Sequence, residues 1–484
     1  MIELTMLLLG MAALLALADW RRGLFLCVLT GLLQDPLRKL APDQPAYFVV
    51  LVGVVFAVTF WSAFRSHVPL MPSAVDGWRE SLGRPFSLYV FWVLAQAVHS
   101  LVMYRSPTLT GVGIMVWLAP AAAATLAYQF ALHRGMPGLV GLLRFYCIGA
   151  MVSLLGVYLE YSGVDWAALR EVGPGLSIYG VDGLLKAYSG FFRASEVAAW
   201  HAATIAAIVV MLFSIGRVNS SRLLMTAALV VGVVALGMLT GRRKMLVEVV
   251  IFLGVFLLLL AWFQRGSTKL AISAGLGLAL LVWAVLGLQE PDAQGQRPAT
   301  GTHAVGGDRY QGYADRGQTV FGDIPKRVAD LGIGPIFWAL DSVGFLGAGL
   351  GTGSQQGTGR SESVDIDGGA AEGGLGKIVI ELGLPGLPLI GWLLMALARH
   401  VKQGLVFTAR VAPTQARLAY GLVALLLAKL SSFSVATQVY SDLFVLLLMG
   451  WCVGFVLALP VLAARGPAPG QALRRGQRLR RRSA

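Results

Sequence analysis

Charge is scarce in this chain. Asp, Glu, Lys and Arg make up 13% of its 484 residues, while 56% are hydrophobic. A soluble domain with so few charges cannot cover its apolar surface, so the composition excludes one and reads as a polytopic membrane protein. Cysteine is scarcer still. Its 3 cysteines, Cys27, Cys147 and Cys452, fall singly inside apolar runs. That excludes a disulfide framework and leaves no paired spacing for a metal site. The first apolar run, 5-TMLLLGMAALLALA-18, has neither a basic n-region nor an Ala-x-Ala exit, so it is expected to stay as a helix. No internal repeat stands out.

What the chain has is a series of long apolar runs. Hydropathy gives about 13 candidate spans. They lie near 2–18, 23–33, 45–64, 85–103, 109–130, 138–159, 197–216, 223–240, 245–263, 269–288, 376–397, 415–434 and 439–463. The second, Gly23–Leu33, is too short to cross alone and must be tilted, extended or re-entrant. Pro120, Pro385 and Gly386 predict local breaks inside spans. The expected fold is all-α, with 12–13 transmembrane helices and a large late loop containing short helices.

Two hydrophilic stretches divide these runs. The expected order is a transmembrane bundle over 1–159, a segment outside the membrane over 160–196, and central helices over 197–288. A large loop over 289–375, C-terminal helices over 376–463 and a basic tail over 464–484 follow. A loop of that length is a functional module or disorder, and its aromatic and amphipathic content favours the module.

The net charge of +14 rests partly on the tail, 474-RRGQRLRRR-482, which reads as a cytoplasmic anchor on anionic lipid rather than a nucleic-acid site. With that tail inside, alternation places Arg399–Arg417, 264-QRGSTK-269, 216-GRVNSSR-222, 133-HRGMPG-138, Arg65–Arg84 and 19-DWRR-22 inside as well. Both long loops fall outside. So does 241-GRRK-244, against the rule: Arg242, Arg243 and Lys244 sit in a tight turn where the insertion bias does not want cations.

Such exceptions can be snorkelling side chains. Three adjacent cations favour a functional reading: the planar fork of arginine suits phosphate oxygens, and lysine acts as a point charge. A cationic knot at the outer face would bind the diphosphate of a membrane-embedded polyprenyl carrier. Arg193, in 189-SGFFRASE-196, belongs to the same face; Glu196 either pairs with it or acts with it. His201, one turn on, is expected to be a packed helix residue. Arg327, in 325-PKRVADLG-332, opens an amphipathic stretch that is either a solvated face or part of the site. Gly347, Gly349 and Gly351 alternate in 344-GFLGAGLGTGS-354 and can form an anion nest or a flexible loop. The following 361-SESVDIDGGAAEGGLGK-377 supplies Glu362, Asp365, Asp367 and Glu372. An Asp-x-Asp can hold a divalent metal beside a diphosphate. One carboxylate acting as general base on a sugar hydroxyl is the stronger reading.

The order of these parts resembles the bacterial O-antigen ligase and Wzy-type polysaccharide polymerase family of inner-membrane, C-type glycosyltransferases. The resemblance rests on "GFFRASE", on "TGRR" between adjacent spans, on "RVAD…DSVGFLGAGLGTG", and on "AEGGLGKIVIELGLPGL" entering the next span. It covers roughly 185–400, and the order of the loose motifs around one late loop carries it. It implies a periplasm-facing enzyme that takes a glycan from undecaprenyl diphosphate and transfers it to an acceptor hydroxyl. No metal or other cofactor is required. Arg242 or Arg243 then matches the arginine of the turn, and Arg327 the one opening the late-loop motif. The implied partners are the lipid-linked glycan, membrane lipid, and a chain-length regulator and a flippase of the same pathway. Ligases of this family carry a His with a nearby Asn before the Glu–Gly pattern, and this chain has none there; its only large-loop histidine is His303. That favours a polymerase making O-antigen or exopolysaccharide, with Glu362 and Glu372 as base candidates and the ligase as runner-up. A flippase or transporter for an anionic lipid-linked substrate stays open, with Arg144 and Lys429 as intramembrane charges.

Overall fold

In a computed structural model, the structure describes residues 2–172, 177–179, 184–216, 219–264, 328–353 and 373–466. Helices dominate. In chain order they are α1 (Ile2–Ala18), α2 (Trp20–Leu40), α3 (Leu51–Arg65), the single turn α4 (Trp78–Ser81), α5 (Gly83–Tyr104), α6 (Pro107–Tyr161), α7 (Ser195–Ser214), α8 (Ser220–Met238), α9 (Lys244–Phe263), α10 (Gly334–Val343), α11 (Gly374–Leu382), α12 (Gly386–Val411), α13 (Pro413–Val435) and α14 (Leu443–Arg465). A two-stranded antiparallel ribbon, Ser177–Tyr179 with Leu184–Lys186, lies between α6 and α7. The all-α polytopic expectation holds, with that ribbon as a small addition.

Among the described residues, seven helices are long and apolar enough to cross a membrane, or eight if α11 and α12 count as one broken span bent by 117°. The expected spans at 85–103, 197–216, 223–240, 245–263, 415–434 and 439–463 appear as α5, α7, α8, α9, α13 and α14. The span expected at 269–288 lies outside the described residues. The runs at 109–130 and 138–159 merge into α6, whose 55 residues would measure about 80 Å if straight, more than twice the apolar core of a bilayer. The chain folds back at Gly135, whose φ of +62° is open to glycine, with Pro137 just beyond.

The short run at 23–33 is extended in the fold. α2 is capped by Asp19, whose side chain accepts from Arg21 N, and continues through Gln34–Leu40. Charges end the apolar run in the sequence, but Asp35 and Lys39 are buried against the segment before α7. Packing, not hydropathy, sets the length of this helix.

The core is a contiguous apolar mass built around α14 and both limbs of α6. Gly450 and Gly454, spaced as in Gly-x-x-x-Gly, let α14 approach α6 closely; a Cβ at either would overlap the carbonyl of Pro120 or Ala124.

The bundle has two chemically distinct ends. At one, Arg134 faces Asp19 at 3.6 Å, Arg465 donates to Leu132 O, Arg417 donates to Ser214 O, Gln264 donates to Pro413 O, and Ser81 meets His400. These are the basic loops assigned to the inside. The 241–244 turn lies at the other, far end, with Lys39, Glu160 and the start of α7. The alternation read from the basic loops therefore agrees with the packing.

Candidate functional site

The far end is organised by a seven-residue connection, 436-ATQVYSD-442, between α13 and α14. Asp442 caps α14, accepting from Phe444 N at 2.8 Å and Val445 N at 3.4 Å. Its other oxygen takes Arg193 Nη2 at 3.3 Å. Arg193 N donates to Asp35 Oδ2 at 3.0 Å. Asp35 and Lys39 are both buried here. Lys39 Nζ donates to Gly190 O at 2.7 Å and Ser189 Oγ at 3.1 Å, and Glu160 Oε2 accepts both Ser189 N and Gly190 N at 2.9 Å. The 189–196 loop is thus pinned through its backbone by a lysine and a glutamate from neighbouring helices.

The second cation is held from the same loop. In the α8–α9 turn, Gly241 takes φ +67°, and Arg242 turns back towards α7. Arg242 Nη1 lies 3.1 Å from Glu196 Oε1 and its Nε 3.2 Å from Ser195 Oγ. With its amide nitrogen turned to that carboxylate, Gln438 donates to Glu196 as well. The expected Arg193–Glu196 neighbour pairing is therefore not the one formed: Glu196 goes to Arg242 and Arg193 goes to Asp442. Arg243 and Lys244 are half-buried beside them. They stand at the N-terminus of α9, where the helix dipole is already positive. Cations there are stabilised by an anion rather than by the helix.

Deeper in, Lys429 Nζ lies 2.5 Å from Glu248 Oε2, donates to Trp200 O at 3.1 Å, and sits 4.1 Å over the Trp200 ring. It pairs within its own neighbourhood, while Arg144 is exposed on the outside of α6. His201 is buried, stacked between Phe192 and Phe444, with Nδ1 2.7 Å from Tyr146 Oη. It is the packed helix residue expected.

The alternating glycines have a packing role. Gly347, Gly349 and Gly351 have φ of +77°, +95° and +86°. A Cβ on them would meet the backbone of Ile380 and Gly383, the backbone of Ser100, and the carbonyl of Leu109. The loop is wedged against α5, α6 and α11, with Ser100 Oγ donating to Leu350 O and Ala348 N to Ile380 O. An anion nest needs free amides, and here Gly347 N and Ala348 N already donate to carbonyls. Close approach accounts for these glycines.

Arg327, Glu362, Glu372, His303, Asp365 and Asp367 lie outside the described residues. Among the described residues, no group of three or more His, Cys, Asp or Glu side chains comes together as a metal cluster.

Beneath the 436–442 loop runs an apolar cavity of about 780 Å³. Tyr440, Lys377 and Lys429 line its far end, Trp117 and Phe433 its flank, and Trp262 and Lys402 the opposite end. Ser441 of the same loop accepts from Lys377 Nζ at 3.4 Å. One short connection therefore touches every element of the site: Gln438 the Arg242–Glu196 pair, Tyr440 the cavity, Ser441 Lys377, and Asp442 Arg193. The sequence reading placed most of this loop inside a span. The available signal was Asp442 standing before an apolar run, which is an N-cap pattern. Lys377, Glu248 and Glu381 were likewise not singled out.

No protein-family model matches the chain, and no curated protein matches it either.

Proposed function

We propose that this chain is a membrane-embedded glycosyltransferase that takes a glycan from undecaprenyl diphosphate at the far, periplasmic end of the bundle. In this reading it joins repeat units into a surface polysaccharide, as the resemblance to the O-antigen ligase and Wzy-type polymerase family implies. The observation that carries the proposal is the apolar cavity of about 780 Å³ whose far end is lined by Lys377, Lys429 and Tyr440 of the 436–442 loop. A long apolar chain with an anionic head matches an apolar body with Lys377 and Lys429 at its far end.

The chemistry follows from the donor. The anomeric carbon already carries a diphosphate leaving group, so the protein's tasks are to stabilise the developing charge and to hold the acceptor hydroxyl in line. Arg242, Arg243 and Lys244 at the positive end of α9 supply the first. Bond formation to the acceptor oxygen and departure of the diphosphate then need only a proton acceptor, for which Glu362 and Glu372 are the candidates.

Two other readings have support of their own. A ligase uses the same donor site and differs in its acceptor. A transporter of a lipid-linked anion is favoured by the α11–α12 bend of 117°, where a broken span carries the buried charges Lys377 and Glu381. One experiment separates the three. Purified protein in liposomes is given a polyprenyl-diphosphate-linked repeat unit without another acceptor, and the products are run on a gel. A ladder of longer glycans is the expected result. Extension only after a lipid A core or protein acceptor is added establishes the ligase. Substrate crossing the bilayer with no reaction overturns the enzyme.

A further inference from the structure

Lys377 differs from the other buried cations of this fold in how loosely it is held. Its side chain is 2% exposed. Among the described residues its ammonium makes two polar contacts, to Ser441 Oγ at 3.4 Å and to Glu381 Oε1, one helical turn on, at 4.0 Å. The first is long for a hydrogen bond and the second is beyond one. An ammonium has three donors to satisfy, and burying it without partners is costly. Lysine four residues before glutamate is also the weaker order for a helical pair. Lys429, lining the same cavity, has its carboxylate at 2.5 Å, a carbonyl at 3.1 Å and an indole face.

Glu381 cannot easily close the gap. Its Oε2 accepts Trp117 Nε1 at 2.5 Å, which holds the carboxylate towards α6. Its Oε1 has no hydrogen-bond partner among the described residues. The helix carrying both residues is fixed in place: a Cβ at Gly374 would overlap the carbonyl of Phe433, one at Gly376 would meet Pro335, and Gly383 closes the helix with φ +70°. Among the described residues, Lys377 therefore stands in the cavity wall with spare donors and little freedom to find other partners.

We propose that Lys377 anchors the phosphate head of a long-chain lipid whose tail occupies the apolar cavity. Lysine serves phosphate as a point charge. Arg242 and Arg193 are already matched by the carboxylates of Glu196 and Asp442, whereas the carboxylate nearest Lys377 is held away by Trp117. The ligand is a phosphate or diphosphate on an apolar chain. Its identity as a prenyl diphosphate rests on the transferase reading; the anchor itself rests on the cavity.

The test uses the full chain in detergent, with farnesyl diphosphate as probe, farnesol as its uncharged counterpart and dioleoyl phosphatidic acid as competitor. The wild type is expected to bind farnesyl diphosphate at least about tenfold tighter than farnesol, equivalent to about 1.4 kcal/mol. Lys377→Met loses that preference while binding farnesol as before, which shows that the cavity is intact. Lys377→Arg keeps much of it, and Glu381→Gln keeps all of it. A preference that survives Lys377→Met overturns the anchor. If it survives there but vanishes in Arg242→Ala, Arg243→Ala, the head sits at the α8–α9 turn: the anchor falls and the transferase reading stands. Equal competition by phosphatidic acid leaves the anchor standing but overturns the prenyl assignment. A wild type that does not distinguish farnesyl diphosphate from farnesol overturns both.

Discussion

Arg242 Nη1 lies 3.1 Å from Glu196 Oε1, joining the α8–α9 turn to the first turn of α7. The pair is mostly buried, and the Gln438 amide completes the carboxylate. Removing Arg242 alone leaves Glu196 partly desolvated without its cation, and removing both charges leaves no orphan. A double-mutant cycle of Arg242→Ala with Glu196→Gln is expected to give a coupling of about 1–2 kcal/mol in thermal or chemical unfolding. Strict additivity would show the contact to be energetically idle. In cells, Arg242→Ala with Arg243→Ala is expected to abolish polymer while the protein still inserts. Normal polymer in that variant would remove the turn from the proposed donor site.

Asp442 has two duties, and they can be separated. It caps α14 and it neutralises Arg193. Asp442→Asn keeps an oxygen for the cap but not the charge. Asp442→Ala loses both. The expected cost of Asp442→Ala is about 3–5 kcal/mol from the stranded arginine, with about 1 kcal/mol more from the lost cap. Asp442→Asn is expected to lose mainly the first part. Adding Arg193→Met to either variant should recover much of the loss, read as melting temperature in detergent. Equal melting temperatures for the two single variants would show that the cap adds nothing beyond the ion pair.

These two relationships mark the limit of what the sequence made legible. Helix positions were readable because lipid-facing and core-facing surfaces are both apolar: the span expected at 245–263 is α9 at Lys244–Phe263. The grouping of the basic loops was readable: those at Arg65–Arg84, 133–138 and 399–417 meet at one end of the bundle. Pairing was not. Arg193 stands three residues from Glu196, yet its partner is Asp442, about 250 residues away. Only packing of α2, α7 and α14 brings that carboxylate to it. Asp35 and Lys39 follow the apolar run at 23–33, where isolated charges look like a boundary. In the fold they are buried by partners in the 189–193 loop. The alternating glycines were seen, but their role depends on what lies opposite them, and that is backbone.

At Gly351 that backbone gives a direct test. Its φ of +86° disfavours any L side chain, and a Cβ there would overlap the Leu109 carbonyl at the start of α6. Gly351→Ala is expected to cost about 2–4 kcal/mol, more than backbone strain alone, because the loop must lift off α6. Gly344 has φ +74° but open space around it. Gly344→Ala is therefore expected to cost only the backbone strain, about 1–3 kcal/mol. Melting temperatures of the two variants check the order. A larger loss at Gly344 would show that the loop is held by its own conformation rather than by its seat on α6.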